Sequence, residues 1–258
     1  MMRNPLLGLG LLLIIPACHV APPEFPVHEV PAGPLVEKLA ERREAFAGMK
    51  AVARVEIERK GRIRVYESVA FLQQGFRKLK VEAYGPLGES LVALLWDGTN
   101  VLIRKPGETE PLNVGQFGLE RVLGLQVVPA DLCALLTGNA PAVPAGAAAR
   151  AGCNDDGRCV IDLQRGDLRW RVLFLPPMSD LAAEPAVSGA DLYQGERLVL
   201  HSTYEPQGWS LATGLPKRIT VEDPVRKVRL AVDYQEADAN VPVEDGVFTL
   251  FPEEEQGK

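Results

Sequence analysis

The chain has 258 residues, of which 47% are hydrophobic, and its formal net charge at pH 7 is −6. This length and apolar content suit one large domain or two small ones with a packed core. The basic residues are spread along the chain, whereas nucleic-acid binding requires a clustered basic face, so nucleic acid is excluded as a partner. The acidic balance favours solubility.

The first residues predict an export signal. Arg3 supplies a positive charge, and the ten residues 6–15 are all apolar or Gly. Ten residues are too few to cross a bilayer core, which needs about twenty. A charged start, a short apolar stretch and a small residue before a cut site are typical of a secretory signal peptide. We therefore expect residues 1–17 to be removed.

Residues 15–18 (Ile15-Pro16-Ala17-Cys18) resemble the bacterial lipobox, although Pro16 departs from its usual pattern. The resemblance implies several acyl chains on Cys18 and therefore a lipid anchor in a membrane. The resemblance also implies that His19, which is not an Asp, permits sorting to the outer membrane, so we expect the anchor on its periplasmic face. A secreted protein with an incidental cysteine is the alternative.

Residues 18–34 contain Pro22, Pro23, Pro26, Pro31 and Pro34. Such a segment is typical of a semi-extended tether. Residues 35–252 are predicted to form a single domain, and residues 253–258 an acidic, frayed tail. At the start of this domain, residues 35–49 have helical spacing of apolar side chains, with Gly48 as a stop signal.

From residue 51 the hydrophobic period changes to two. The pattern predicts strands at residues 51–58, 63–71, 79–83, 91–96 and 101–104, with Glu67 as an exception to the alternation. Lys60-Gly61, Gln74-Gly75 and Asp97-Gly98 read as turns. These strands would form an antiparallel meander with one face in water.

Residues 115–137 return to helical spacing and predict two helices. Pro129 can begin the second helix, and Gly138 follows its end. The apolar face is either ordinary core or the lid of a cavity. On the second interpretation six residues are candidate walls of a lipid cavity: Leu119, Val122, Leu123, Leu132, Leu135 and Leu136.

A second set of strands is predicted at residues 159–163, 168–174, 198–204, 219–221, 228–234 and 247–251, with loops at 139–152 and 176–189. The class is α+β, with helices gathered on one side of an antiparallel sheet. An open sheet of about 10–11 strands tends to curl into a half-barrel. Helices covering its mouth would enclose an apolar cavity that suits a lipid-like ligand.

Cys153 and Cys159 flank a tight turn and are a disulfide candidate in an exported protein. A metal site would need further ligands nearby, and the sequence offers none. Cys133 lies in an apolar helical stretch and is expected to be a buried thiol.

The sequence contains no catalytic constellation. Of its three histidines, His19 and His28 lie in the tether and His201 lies in a strand, where a structural role is expected. It has neither a nucleophile elbow nor a phosphate-binding loop. We therefore expect a non-enzymatic protein without a metal or another cofactor.

Four stretches, in this order, resemble the LolB-like outer-membrane lipoprotein receptors of the lipoprotein-localisation factor superfamily. They are residues 84–91, with the turn Pro86-Leu87-Gly88, then 124–138, 215–219 and 228–234. The resemblance spans roughly residues 35–235. It implies an open barrel with a helical lid, which takes the acyl chains of lipoproteins from a soluble periplasmic carrier and delivers them to the outer membrane, acting as a monomer.

In that family an exposed Leu on this turn is needed for delivery, and Leu87 occupies the matching position. A Leu left in water forgoes roughly 1.5–3 kcal/mol of burial, so a membrane, a partner or the protein's own core should offset the loss. The long loops 139–157 and 176–195 and the cysteine pair depart from the family. They leave open another lipid cargo, or a structural or sensing lipoprotein that uses this fold to bind a partner protein.

Overall fold

The period-two stretches of the sequence assemble into one antiparallel sheet of 14 strands. The computed structural model describes residues 28–108, 111–115, 118–143, 146–175, 186–205 and 215–250. Three α-helices occur in these ranges. The predicted α+β class, a curled and unclosed antiparallel sheet with a few helices, is confirmed.

The strands are β1 (His28–Val30), β2 (Gly48–Arg59), β3 (Arg62–Gln74), β4 (Lys78–Tyr84), β5 (Ser90–Trp96), β6 (Val101–Arg104), β7 (Leu112–Asn113), β8 (Ala148–Cys153), β9 (Cys159–Arg165), β10 (Leu168–Phe174), β11 (Val187–Gln194), β12 (Arg197–Tyr204), β13 (Arg218–Asp223) and β14 (Val228–Ala239). The helices are α1 (Gly33–Ala45), α2 (Gly118–Val122) and α3 (Pro129–Leu136), and Asp245–Val247 forms a single 3-10 turn.

Two runs of neighbouring strands make up the sheet. β2 to β7 follow one another across it, as do β8 to β14, and β1 adds to the outer edge of β8. The runs meet where β14 pairs with β2, with Val228 opposite Arg59. Each run is thus a local meander, and one long-range pairing joins them.

The beginning of the domain differs from the prediction. The tether was expected to reach residue 34, but His28–Val30 pair with β8 as strand β1. Helix α1 begins at Gly33, with a proline in its first turn, and ends at Ala45 instead of residue 49. Met49 belongs to β2, where its backbone lies opposite Gln73 of β3. Strand pairing therefore overrides the helical spacing after residue 45.

Four strands were not predicted: β1, β7, β8 and β11. β1 and β7 have only three and two residues. β8 (AARAGC) and β11 (VSGADLYQ) carry small residues that blur the alternation, and both lie partly in predicted loops. The last predicted strand, 247–251, is absent over its described residues: Val247 ends the 3-10 turn, and Leu250 packs on the outer face of β5.

Cys153 and Cys159 form a disulfide across the β8–β9 hairpin, where they are directly opposite partners. His28 of β1 lies opposite Cys153. The crosslink therefore sits beside the edge where the first strand joins the sheet.

Replacing both Cys153 and Cys159 with Ser should lower the free energy of unfolding by about 2 kcal/mol, because so short a loop loses little entropy on closure. Urea denaturation with and without a reductant measures this. Reduction of the wild type should reproduce the loss, and an unchanged midpoint would show that the crosslink contributes nothing to stability.

Candidate ligand-binding site

A cavity of about 890 Å³ lies between the sheet and helices α2 and α3. Alternate side chains of β3 to β6 point into it, as expected for one face of a pleated sheet. The aliphatic and Phe side chains of the sheet that line the cavity are Val55, Ile57, Val69, Phe71, Leu79, Val81, Ala83, Val92, Leu94, Ile103, Leu112, Leu230 and Val232.

Helix α3 closes one side of the cavity and is tied to the sheet through its last carbonyl groups. The Tyr234 hydroxyl donates to the Leu136 carbonyl at 2.7 Å. The Gln73 side-chain amide donates to the Cys133 carbonyl at 3.3 Å. Since a helix leaves its last carbonyls without helical partners, these bonds fix α3 against β14 and β3.

Four of the six predicted wall residues line this cavity: Val122, Leu123, Leu132 and Leu136. Leu119 and Leu135 are buried in the core, at 1% and 0% exposure, and are not among its lining residues. The helices therefore contribute one apolar face to the cavity and another to the solid core.

Helix α2 is held at one end of the sheet by Arg226, which lies in the β13–β14 turn. The Arg226 guanidinium donates to Glu120 at 2.9 Å and to Gln126 at 2.8 Å. It also donates to Asp223 at 3.2 Å. These contacts place α2 beside the turn that connects β13 with β14.

We call this end of the sheet the mouth end. It also carries the β2–β3 turn at Lys60-Gly61 and the β4–β5 turn at residues 85–89, because neighbouring strands alternate in direction. β4 pairs with β3 only from Ser68 onwards. The first half of β3 therefore extends beyond β4 and leaves an opening beside the cavity.

Six cations line the cavity, and all belong to segments at the mouth end. They form what we call the cationic collar: Arg59, Lys60, Arg62, Arg64, Lys105 and Arg121. All six are exposed to solvent. No Asp or Glu occurs among the described lining residues. The cavity is thus apolar in its depth and positively charged at its opening.

A β-bulge explains why arginines face the cavity on β3. Ala53 lies opposite Val69 and Val55 opposite Tyr66, so two residues of β2 span three of β3. A bulge re-aims the side chains that follow it. Strict alternation would have put Ile63 on the face of Val69; instead Ile63 is 59% exposed.

Leu87 lies at the tip of the β4–β5 turn and is 94% exposed. Gly88 donates its backbone N–H to the Gly85 carbonyl at 3.0 Å, which closes a β-turn with Pro86 in its second position. The Leu87 N–H donates to Glu89 Oε2 at 3.0 Å. The turn therefore holds an apolar side chain out in water at the mouth end.

Arg43 of α1 and Asp131 of α3 are both half-buried and interact electrostatically. Burial raises the pKa of Asp131 to about 6, and the positive charge of Arg43 acts against this rise. Arg43 also stacks on the Phe76 ring, 4.0 Å from its centroid. Burial likewise raises the pKa of the neighbouring Cys133 thiol far above its ordinary value.

The pKa of Asp131 gives stability a definite pH dependence. Between its ordinary value of 3.8 and about 6 the folded chain holds a proton that the unfolded chain has released. Stability should therefore fall by about 2–3 kcal/mol as pH rises through this window. Asp131→Asn should remove that fall. Chemical denaturation at pH 4, 5 and 6.5 measures it, with the exposed Asp156→Asn as control; equal slopes in all three proteins would contradict it.

Of the remaining residues singled out from the sequence, His201 is held by a hydrogen bond within the sheet. His201 Nδ1 lies 2.6 Å from Asp191 Oδ1, and this hydrogen bond raises the pKa of His201. Cys18 and His19 lie outside the described residues. Among the residues that are described, no three His, Cys, Asp or Glu side chains are grouped as metal ligands would be. No helix in the described ranges is long and apolar enough to span a membrane.

The fold and cavity define a class: an unclosed antiparallel sheet that curls around helices and leaves an apolar space between them. A LolA superfamily protein from Nitrosomonas europaea has this fold, with a TM-score of 0.57 and 19% identity over 85% of this chain and 98% of that chain. A domain from Vibrio parahaemolyticus, described as a putative outer membrane lipoprotein-sorting protein domain, also has this fold. Its TM-score is 0.61 and its sequence identity is 10%, over 85% of this chain and 97% of that chain.

A DUF1329 family protein from Desulfovibrio piger also shares the fold, with a TM-score of 0.52 and 11% identity over 85% of this chain and 98% of that chain. No family model and no curated protein matches the sequence. The predicted likeness to the lipoprotein-localisation factor superfamily is therefore confirmed at the level of the fold.

Proposed function

We propose that this protein binds the acyl chains of lipoproteins in its cavity, takes them from a soluble periplasmic carrier and inserts them into the outer membrane. The observation that carries the proposal is a cavity with apolar walls whose mouth end also holds a fully exposed leucine. No covalent step is involved, so the protein is not an enzyme on this view.

The size and lining of the cavity support acyl chains as the ligand. Its volume of about 890 Å³ falls within the range of about 300–1,000 Å³ that small-molecule sites occupy. Each methylene buried there is worth about 0.8 kcal/mol. A chain of many methylenes therefore has enough driving force to enter without any specific polar contact in the depth of the site.

The position of Leu87 supports delivery in addition to storage. Nothing in the described structure covers this side chain, and it lies at the end of the sheet where the cavity opens. Inserting Leu87 into a bilayer would recover the burial that the turn denies it. The acyl chains would then pass from the cavity into the bilayer at the point where Leu87 has inserted.

The anchor belongs to the same proposal. Cys18 would carry the acyl groups, and residues 19–27 would connect them to β1, whose first residue is His28. Of the proteins that share the fold, one is described as a LolA superfamily protein and another as a putative outer membrane lipoprotein-sorting protein domain. Both descriptions fit a periplasmic position on the outer membrane. We take the working form to be a monomer.

A transfer assay tests the proposal. Vesicles that carry the mature protein are mixed with a periplasmic carrier loaded with a fluorescent lipoprotein, and the vesicles are then isolated by flotation. We expect these vesicles to acquire the cargo and protein-free vesicles to acquire little. If both kinds of vesicle acquire equal amounts, lipoprotein delivery is wrong. Binding of a partner protein through the exposed Ile63, Val65 and Leu87 would then be the function to test.

A further inference from the structure

We propose that the cationic collar is a headgroup site, so that the ligand of this cavity is an amphiphile with an anionic group next to its acyl chains. The inference deepens the proposed function, because it rests on acyl chains entering the cavity and adds what must lie at their outer end. The anion is a phosphate or a carboxylate.

The first argument is that the collar is costly unless something binds it. Arg59 lies directly opposite Arg62 across the β2–β3 hairpin. Like charges in directly opposed positions of an antiparallel pair are destabilising. The chain as a whole has a net charge of −6, so an accumulation of six cations around one opening is not a consequence of a basic composition.

The second argument is the contrast between the two faces of the same strands. On the outer face, Arg54 pairs with Glu56 and Glu67, at 3.6 and 3.3 Å. Arg229 pairs with Glu56 at 3.3 Å. At the mouth, no ion pair joins any collar residue to a carboxylate of the described chain. The protein thus neutralises its outer charges internally and leaves the charges at the mouth available to a ligand.

The third argument is the bulge in β3, which makes this arrangement specific. Without it, Ile63 and Val65 would continue the apolar wall of Val69 towards the opening. With it, Arg62 and Arg64 face the cavity, and Ile63 and Val65 face outwards at 59% and 40% exposure. The bulge therefore exposes two apolar side chains to water and places two guanidinium groups at the mouth end.

The geometry fits an amphiphile better than a free anion. The collar residues are exposed, and exposed cations hold a small anion only weakly because water screens the interaction. Next to an apolar cavity the chains supply affinity by burial, and the cations select the headgroup. Arginine presents a planar set of donors that suits both phosphate and carboxylate.

Photo-crosslinking with the complete, membrane-anchored protein tests the inference. Phosphatidylcholine vesicles containing the mature protein are doped with one of two diazirine-labelled probes, palmitoylglycerol phosphate or palmitoylglycerol, which differ only by the phosphate. Peptides crosslinked within β3–β5 are quantified by mass spectrometry. We expect the phosphate probe to label the cavity about tenfold more than the neutral probe.

The variant Arg62→Gln/Arg64→Gln should lose most of this preference, measured as the ratio of labelling by the phosphate probe to labelling by the neutral probe. The matched control is Arg165→Gln/Arg197→Gln, which removes two exposed cations from strand ends that are remote from β3 in the sheet order. The control should keep the wild-type preference. If the collar variant loses labelling by both probes equally, the cations contact the membrane surface and the headgroup inference is overturned.

A second pair of probes distinguishes the sources of the anion: diacylated Cys-Asp and Cys-Asn dipeptides with a diazirine in one chain. A preference for phosphate alone assigns the collar to a lipid headgroup, and a preference for Cys-Asp assigns it to an acidic residue beside an acylated cysteine. Equal labelling of the cavity within both pairs overturns the inference but leaves acyl-chain binding intact. Absence of cavity labelling by any probe overturns acyl-chain binding itself.

Discussion

Replacing Leu87 with Glu should leave the uptake of acylated cargo unchanged and reduce its delivery to membranes by more than about tenfold. The side chain is 94% exposed and is not among the residues that line the cavity, so we expect uptake to be unchanged. Delivery loses the roughly 1.5–3 kcal/mol gained by burying a leucine, which corresponds to about one to two powers of ten. The Glu carboxylate must also be desolvated to enter the bilayer.

The measurement uses a soluble form that lacks residues 1–18, which retains every described element because the first begins at His28. Cargo bound to the protein is separated by gel filtration, and cargo passed to vesicles is separated by flotation. Leu87→Ser should show a smaller loss in the same direction, and Leu87→Met should retain delivery. The control is Leu168→Glu, the same substitution at a 43% exposed leucine remote from this turn in the sheet order. A loss of equal size in the control would contradict a specific role of Leu87.

Replacing Ala83 with Trp should weaken the uptake of acylated cargo by more than about tenfold. Ala83 is 3% exposed and lines the cavity between Val69 and Val92, its partners on β3 and β5. An indole placed there occupies space that the acyl chain needs. Displacing only two methylenes from burial costs about 1.6 kcal/mol at about 0.8 kcal/mol each, which already weakens binding more than tenfold.

The cavity can accept the larger side chain, so Ala83→Trp should still fold, at a cost of about 1–3 kcal/mol for overpacking. Thermal denaturation and near-ultraviolet circular dichroism check this. The matched control is Ala70→Trp, the same substitution on neighbouring β3 at a half-buried position between the lining residues Val69 and Phe71. Because alternate residues face opposite sides of a sheet, Ala70→Trp should keep its uptake. Full uptake by Ala83→Trp would contradict this cavity as the binding site.

The strands with strong alternation could be predicted from the sequence, and those with weak patterns could not. β4 (KLKVEAY) and β10 (LRWRVLF) carry a clear period of two. β8 and β11 contain Ala, Gly and Ser, whose burial adds little apolar area, so their place in the sheet is decided by the neighbours that pair with them. Pairing with a distant neighbour is a tertiary effect that a local pattern does not contain.

The candidate site was predictable in part. Helical spacing identified the apolar residues of α2 and α3, but it could not tell Leu132, which borders the cavity, from Leu135, which packs in the core. Both lie in the same apolar segment, and the difference depends on where space remains after packing. The turn chemistry of residues 85–88 placed Leu87 correctly at the tip.

The collar could not have been found from alternation. In Arg62-Ile63-Arg64-Val65 either set of side chains can face inwards, and burial of apolar residues favours the set that the structure leaves outside. The available signal was Glu67, which interrupts the pattern next to the bulge. A polar residue at an expected apolar position can indicate a bulge, after which the other set of side chains faces inwards. It can equally be a single polar substitution in a strand without a bulge.

The pairing of β14 with β2 has a consequence for how the protein folds. Its register runs from Val228 opposite Arg59 to Ala239 opposite Met49, which are 190 positions apart, whereas the hairpins on either side are local. Contacts of such long range form slowly because a large loop must close first. Leu230 and Val232 of β14 belong to the cavity wall, so the cavity is complete only after that closure. We therefore expect affinity for the ligand to arise only after β14 has paired with β2.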